Sequence, residues 1–240
     1  MPSKGILYLV PTPIGNLEDI TNRAMRILGE VDIIACEDTR RTGQLLSRLK
    51  IKKKKFISYH DYNESSRADH LLTSLNEGLS VAVVSDAGSP GISDPGYRIV
   101  RTAIENDIEI VPLPGPCSVI TALTASGLPI DRFFFEGYLS HKSSGRKNKL
   151  EEIKELSHTL IFFESPHRLI KSLNDMHEIL GDRRACVARE MTKIHEQFAR
   201  GTISGILEQF SNLTVKGEIV IVVEGKIEQK GSKKKNDFCK

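Results

Sequence analysis

The sequence predicts an α/β protein built as two α/β domains, with a mainly parallel sheet in the N-terminal domain and a mixed sheet in the C-terminal one. Three observations carry this expectation. Short, nearly continuous apolar runs rich in β-branched residues alternate with longer amphipathic stretches. Turn residues bound those runs, as expected of strands joined by crossover helices. PLPGP (112–116) puts three prolines and a glycine into five residues, the composition of a hinge between domains.

The elements follow in order. ILYLV (6–10) reads as a buried strand. Residues 20–29 place Ile20, Ala24, Ile27 and Leu28 on one stripe, a helix with Gly29 as its stop. VDIIA (31–35) is a strand, and CEDTRRTGQLL (36–46) starts a helix after it. Residues 65–77 form a helix on Ala68, Leu71, Leu72 and Leu75, stopped by Gly78. VAVVS (81–85) and IEIVP (108–112) are strands, with a helix over 97–106 between them on Ile99, Val100, Ala103 and Ile104. SVITALTASG, after the hinge, is a helix of small residues.

In the second half, RFFFEGYL (132–139) is strand-like, HKSSGRKNK (141–149) is a polar basic segment, and a helix follows over 150–157. TLIFFE (159–164), RACVARE (184–190) and EIVIVVE (218–224) are strands; 166–180, ended by Gly181, and 203–211 are helices. The domains are therefore expected at 1–115 and 116–228, with a disordered basic tail over 229–240.

Composition excludes several classes. With 39% hydrophobic residues and 34 basic against 31 acidic ones, the chain is too apolar and too balanced for disorder. No apolar run approaches the roughly 18–20 residues that span a bilayer. The stretch at MPSKGILYLV is too short for a signal peptide. Cys36, Cys117, Cys186 and Cys239 are scattered without CxxC, so a reduced cytoplasmic protein is expected. The seven histidines have no ligand spacing and no HExxH, so no metal site is expected. No GxSxG elbow is present.

The net charge of +3 is small for a nucleic-acid binder, but it is unevenly spread. RLKIKKKK (48–55) holds six basic residues and no acid, and HKSSGRKNK holds four Lys/Arg and no acid. Such runs are ordinary solvated surface, or backbone contacts if the partner is RNA.

Chemistry in a parallel sheet concentrates in the loops at the carboxyl ends of strands. PTPIGN (11–16) is a strand-to-helix turn capped by Asn16 or Asp19, or a loop whose Gly15 lets a ligand approach. SDAGSPGISDPG (85–96) is a compact loop without apolar anchors. In it Asp86 is placed to accept from an ammonium or hydroxyl, and the amides around Ala87, Gly88 and Ser89 to receive a carboxylate, unless the loop is only a packed turn. It is neither GxGxxG nor GxxxxGK[ST]. PGPCS (114–118) opens a helix, and Cys117 reads as a small packing residue rather than a reactive thiol. Glu37, Asp38, Arg40 and Arg41 follow a strand, where Asp38 is a helix cap and the arginines are either surface or phosphate contacts. Arg189 and Glu190, with Lys193 and Glu196, are a surface ion-pair group or the edge of an active site.

Seven segments in this order are recognisable: TPIGNLEDIT (12–21), EDTR (37–40), SDAGSPGISDPG (85–96), PGPCS (114–118), ESPHRL (164–169), AREMTKIHE (188–196) and KGEIV (216–220). Together they closely resemble the bacterial ribosomal RNA small subunit methyltransferase I family, within the tetrapyrrole methylase superfamily, from about residue 5 to 225. The resemblance implies a tetrapyrrole methylase-like fold with S-adenosylmethionine in a cleft between the domains, and a homodimer. It implies 2′-O-methylation of a cytidine ribose in the decoding region of small-subunit (16S) ribosomal RNA. It assigns cofactor binding to Pro13, Gly15, Asn16, Asp86, Ala87, Gly88, Ser89, Cys117 and Ser118, with Phe163, Ala188 and Gly217 facing the adenosyl part. Family members usually carry Thr at Ser89, Ser at Cys117, Ala at Ser118 and Leu at Met191. Some carry a helical extension where this chain has a lysine tail.

A ribose hydroxyl is a poor nucleophile and benefits from a positioned acceptor. Glu37, Asp38, Glu190 and Glu218 are the acceptors available, and Arg40, Arg189, Lys193 and Lys216 the phosphate contacts. The preferred set is Glu37 and Arg40 from one domain facing Arg189, Glu190 and Lys193 from the other. Two other readings stand beside it: a small-molecule, tetrapyrrole-type C-methyltransferase, and a binding module that keeps the fold without turnover.

Overall fold

The computed structural model describes residues 3–52 and 54–227. Lys53 and the tail expected at 229–240 lie outside the described residues. Of the described residues, those up to Thr121, joined by Met191–Ile194, form one compact unit; Ala122–Glu190 and those from His195 to Ile227 form another.

The first unit holds a five-stranded, wholly parallel sheet: β1 (Ile6–Leu9), β2 (Ile33–Cys36), β3 (Lys55–Ser58), β4 (Val81–Val84) and β5 (Glu109–Pro112), in the order β3-β2-β4-β1-β5. Its helices are α1 (Asn22–Glu30), α2 (Thr39–Arg48), α3 (Glu64–Asn76), α4 (Tyr97–Glu105) and the start of α5 (Ser118–Ser126). β2 and β4 are buried along their whole length because both faces are covered. Side chains alternate across the sheet. Ile33, Ala35, Val81 and Val83 therefore pack with Ala68, Leu71 and Leu75 of α3 and Ile99 and Ala103 of α4. Ile34, Cys36, Ala82 and Val84 pack on the other face with Ala24, Ile27 and Leu28 of α1 and Leu46 of α2.

The second unit holds a mixed sheet of β6 (Phe133–Tyr138), β7 (Thr159–Glu164), β8 (Arg184–Arg189), β9 (Gln197–Thr202) and β10 (Ile219–Val223), in the order β6-β7-β10-β8-β9. Only β6–β7 is parallel. One core joins Leu160, Phe162, Val187 and Ile221 of the sheet to α6 (Ser143–Ile153), α7 (Leu169–Leu180) and α8 (Ile203–Phe210).

Two local expectations are corrected, and two strands are added. Gly29 does not stop α1, which runs on to Glu30 and ends at Val31, whose amide donates to the Ile27 carbonyl. Gly29 is absent from the residues with positive φ, whereas Gly78 (φ 89°) and Gly181 (φ 81°) do turn into the left-handed region that ends a helix. The helix expected over 150–157 starts earlier, at Ser143, within the basic segment, and ends at Ile153. Its buried face is Arg146, Leu150 and Ile153, at helical spacing. An arginine thus fills an inward position and hides the amphipathic pattern. Strands β3 and β9 add to the expected elements. Both are edge strands, and each buries a single residue, Ile57 and Ala199.

Candidate functional site

In the first unit, the carboxyl ends of β1, β2, β4 and β5 bring together the loops 11–16, 85–96 and 113–117 and the start of α2. Backbone and hydroxyl bonds tie the three loops into one platform. Thr12 and Gly88 exchange amide–carbonyl bonds, both at 2.9 Å. The Thr12 hydroxyl donates to the Ser85 carbonyl (3.1 Å) and the Ser85 hydroxyl to the Gly88 carbonyl (3.1 Å). The Ser89 hydroxyl donates to the Pro116 carbonyl at 3.0 Å, which gives the hydroxyl at this position a structural use. Gly88 sits at φ 86°, a conformation that disfavours any side chain. Its amide serves Thr12, so it is not one of the amides turned to a ligand's carboxylate. A Cβ on Gly115 would lie 2.7 Å from the Pro11 ring, so the third loop needs glycine to pass the first.

Asn16 accepts the Glu18 amide (3.0 Å) and caps a short 3₁₀ turn, Leu17–Asp19. Helix α1 itself is capped by Thr21, which accepts the Ala24 amide. The alternatives read from the sequence, Asn16 or Asp19, are settled for Asn16 on the turn and for neither on the helix.

Two hollows open on this platform. The first, of about 360 Å³, is lined by Ile14, Asp19, Gly115, Pro116, Cys117, Ile120, Thr121 and Thr192. The second, of about 510 Å³, is lined by Glu37, Asp38, Thr39, Arg40, Arg41, Ser58, His60, Tyr62 and Asp86. The residues expected to bind cofactor therefore divide: Cys117 lines the first hollow, and Asp86 lines the second beside Glu37 and Arg40.

The second hollow is the more charged. Asp86 pairs with Arg41 at 3.0 Å and accepts the Asp38 amide at 3.2 Å, so its carboxylate is held by protein groups. Asp38 caps α2 through the Arg40 amide (2.8 Å) and pairs with the Arg40 guanidinium (2.9 Å). Hydrogen bonds from Arg40, side chain first, hold the Asp38 carboxyl down at about 2. Glu37 is displaced the other way, upward, by partial burial first and then by the Asp86 and Asp61 carboxylates. Asp94 is pushed up to about 6 by burial first, then by Glu37. The sequence did not single out Asp94. Its only signal was a second aspartate in the Gly/Pro-rich loop; burial, which displaces it most, and the acids Glu37 and Asp61 from other loops are not displayed there.

Other site residues have local duties. Thr192 and Lys193 lie on the first loop: the Asn16 amide donates to the Thr192 hydroxyl at 3.0 Å, and the Lys193 stem rests over Gly15. Pro13 and Ala87 are half-buried, and Ser118 begins α5. In the second unit, Arg189 donates to Gln197 Oε1 (3.1 Å) and to the Lys216 carbonyl (3.0 Å). Glu190 sits at φ 51° and accepts the Glu218 amide at 3.0 Å, over Gly217 at φ 90°. Phe163 packs with Phe135 and Tyr138, at ring-centroid distances of 5.0 and 5.4 Å. Ala188 is fully buried within β8.

The segment ESPHRL is scaffold. Buried Glu164 accepts from the Ser165 amide (2.7 Å), the Arg168 guanidinium (2.8 Å) and the Ser172 hydroxyl. Arg168 in turn holds the Leu139 carbonyl (3.3 Å) and His141 Nδ1 (3.0 Å). The basic run at 141–149 is also largely neutralised: Arg146 pairs with Asp175, Lys147 with Glu178 and Lys149 with Glu136 and Glu152. Lys52 and Lys55 of the other run are exposed. Among the described residues, no group of three or more His, Cys, Asp or Glu is placed to hold a metal ion, and no helix is long and apolar enough to cross a membrane.

The family model of the Tetrapyrrole (Corrin/Porphyrin) Methylases matches residues 6–207. Among solved structures, a diphthine synthase superposes with a TM-score of 0.72 at 15% identity, covering 92% of this chain and 90% of that one. A cobalt precorrin-4 methyltransferase does so with a TM-score of 0.66 at 17% identity, covering 91% and 94%. These likenesses define the class, that of S-adenosylmethionine-dependent methyltransferases of the tetrapyrrole methylase fold. Among curated relatives, the Ribosomal RNA small subunit methyltransferase I of Haemophilus influenzae is 53% identical over 92% of this chain and 79% of its own. Those of Escherichia coli O157:H7 (93% and 79%) and Vibrio cholerae (92% and 77%) are each 52% identical. The chain thus belongs to the ribosomal RNA small subunit methyltransferase I family of tetrapyrrole methylases.

The first hollow fits the cofactor that this class uses. Its volume lies within the about 300–1,000 Å³ usual for small-molecule sites. Ile14 and Ile120 give it apolar walls, and the Asp19 carboxylate suits a cationic ligand.

Proposed function

We propose that the chain transfers the methyl group of S-adenosylmethionine to the 2′-hydroxyl of a cytidine ribose in the decoding region of small-subunit ribosomal RNA. The observation that carries this reading is the 53% and 52% identity, over nine tenths of the chain, to proteins named for methylating that RNA. The cofactor would supply a methyl group on a sulfonium: as the oxygen–carbon bond forms, the carbon–sulfur bond breaks and a neutral thioether departs, needing no proton. The protein's task is then alignment and handling of the hydroxyl proton.

Pro13, Gly15, Asn16, Asp86, Ala87, Gly88, Ser89, Cys117 and Ser118 form the proposed cofactor set, completed by Phe163, Ala188 and Gly217. Glu37 is the proposed acceptor of the hydroxyl proton. Its upward-shifted carboxyl, a consequence of partial burial and of Asp86 and Asp61, makes it a stronger base than an ordinary glutamate. Arg40 is proposed to meet RNA phosphate; Arg189, Glu190 and Lys193 complete the target-binding set. Lys52–Lys55 supply sequence-independent backbone affinity. The working form is a cytoplasmic homodimer, and the functional division of the chain falls at 115/116.

The test uses purified protein, methyl-labelled S-adenosylmethionine, and either assembled small subunits or free small-subunit RNA. Label in a 2′-O-methylcytidine nucleoside after digestion is expected. Label on a base, or transfer to a tetrapyrrole and not to RNA, overturns the proposal.

A further inference from the structure

The first loop is fastened at both ends. At its start, Thr12 and Gly88 exchange two backbone bonds of 2.9 Å. At its end, the Asn16 amide donates to the Thr192 hydroxyl at 3.0 Å. Between these points Gly15 lies under the segment Met191–Ile194. A Cβ on Gly15 would come within 2.6 Å of both the Lys193 stem and the Thr192 hydroxyl oxygen, and 2.9 Å from the Met191 carbonyl oxygen. Thr192 itself holds φ 64°. A β-branched residue in that region is an outlier, kept only where its surroundings enforce it. The same residue lines the 360 Å³ hollow, as does Ile14, which lies between the two fastenings.

We infer that Thr192 is a positioning residue for cofactor binding. Its hydroxyl oxygen holds the Asn16 amide, and so fixes the loop that presents Ile14 to the hollow. The inference rests on the proposed reading of that hollow as the cofactor site. The role requires an acceptor oxygen on the γ position at residue 192. Serine keeps that oxygen, whereas valine keeps the shape and loses it.

The measurement is titration calorimetry of S-adenosylmethionine into the full chain without RNA, with the urea midpoint of the ligand-free protein taken alongside. Thr192→Val is expected to weaken binding about three- to tenfold, with the ligand-free urea midpoint lowered by no more than one hydrogen bond is worth. Thr192→Ser is expected to bind as the unsubstituted chain does. Ile120→Trp, which fills the hollow, is expected to abolish binding. Unchanged affinity in Thr192→Val beside loss in Ile120→Trp overturns the inference and leaves the cofactor site standing. Equal losses in the valine and serine variants overturn it too, since packing is then the cause. Unchanged affinity in Ile120→Trp removes the reading of the hollow and the inference with it. Should Thr192→Val not fold, Gly15→Ala displaces the same segment from below and is expected to weaken binding likewise; unchanged affinity there overturns the inference.

Discussion

Two ends of sheets in this molecule are rich in charge, and they use it differently. At the end of β7, Glu164, Arg168 and Ser172 satisfy one another, and nearby Arg146 and Asp175 do the same, almost wholly out of solvent. Each charge there has an opposite one within hydrogen-bond distance. At the ends of β2 and β4, charged groups line an open hollow of about 510 Å³; Glu37 on its wall and Asp94 in the loop after β4 are driven upward, while Asp38 is held down. Recognisable motifs supply both places. At the first, every charge closes on an opposite one; at the second, Asp38 and Asp86 are paired with Arg40 and Arg41, while burial and neighbouring carboxylates displace Glu37 and Asp94. The first arrangement holds a fold; the second is the one proposed above for proton transfer.

The comparison breaks most sharply at Asp175. Asp175→Ala leaves the buried Arg146 guanidinium uncompensated and is expected to cost about 3–5 kcal/mol in urea unfolding. The fraction that remains folded should still bind S-adenosylmethionine normally. A cost of only a few tenths would mean that the pair is not structural.

At the other pole, Glu37→Gln is expected to slow single-turnover methyl transfer by about 100-fold or more while leaving cofactor affinity and stability in place. Wild-type turnover would remove Glu37 from the mechanism.

Acidity sharpens the same contrast. Glu37 must be ionised to accept a proton, so turnover should fall as pH drops through a value above the usual glutamate range. Asp94 adds a stability signature. Its carboxyl titrates near 6 in the folded chain, above its value when unfolded, so the folded state binds more protons between those two values. Its contribution to stability is therefore fully present below the ordinary aspartate range and is lost as pH rises through about 6. Asp94→Asn should flatten that slope, read as urea midpoints across pH 4–7; an unchanged slope would mean that Asp94 is not displaced.

The smallest expected effect concerns surface charge. Replacing Lys52, Lys54 and Lys55 by Gln should weaken RNA binding alike for all sequences. It should also reduce the salt dependence of that binding, by about one unit of slope for each phosphate no longer neutralised. The same change at Lys147 and Lys149 should do less, because Glu178, Glu136 and Glu152 already occupy those ammonium groups. Equal effects would erase the distinction between the two basic runs.

What could be read in advance follows from these physical differences. β2 and β4 were legible because burial on both faces makes them continuously apolar. β3 was not, because lysines begin it and a single isoleucine faces inward. α6 was obscured by Arg146, whose charge is compensated in its inward position by Asp175, 29 residues away. The three site loops stood out through their Gly and Pro density, but their mutual bonds did not. The duties of Gly88 and Thr192 depend on atoms of Thr12 and Asn16, which no local pattern displays. Asp94 was missed for the same reason, since its neighbours arrive from β2 and from the turn after β3.

Ribose methylation by this protein can be read by nucleoside mass spectrometry of small-subunit ribosomal RNA from a strain lacking its gene, complemented by the unsubstituted chain or by Glu37→Gln. One 2′-O-methylcytidine should be lost on deletion, restored by the unsubstituted chain and not by the glutamine variant. Undiminished ribose methylation in the deletion strain would contradict it.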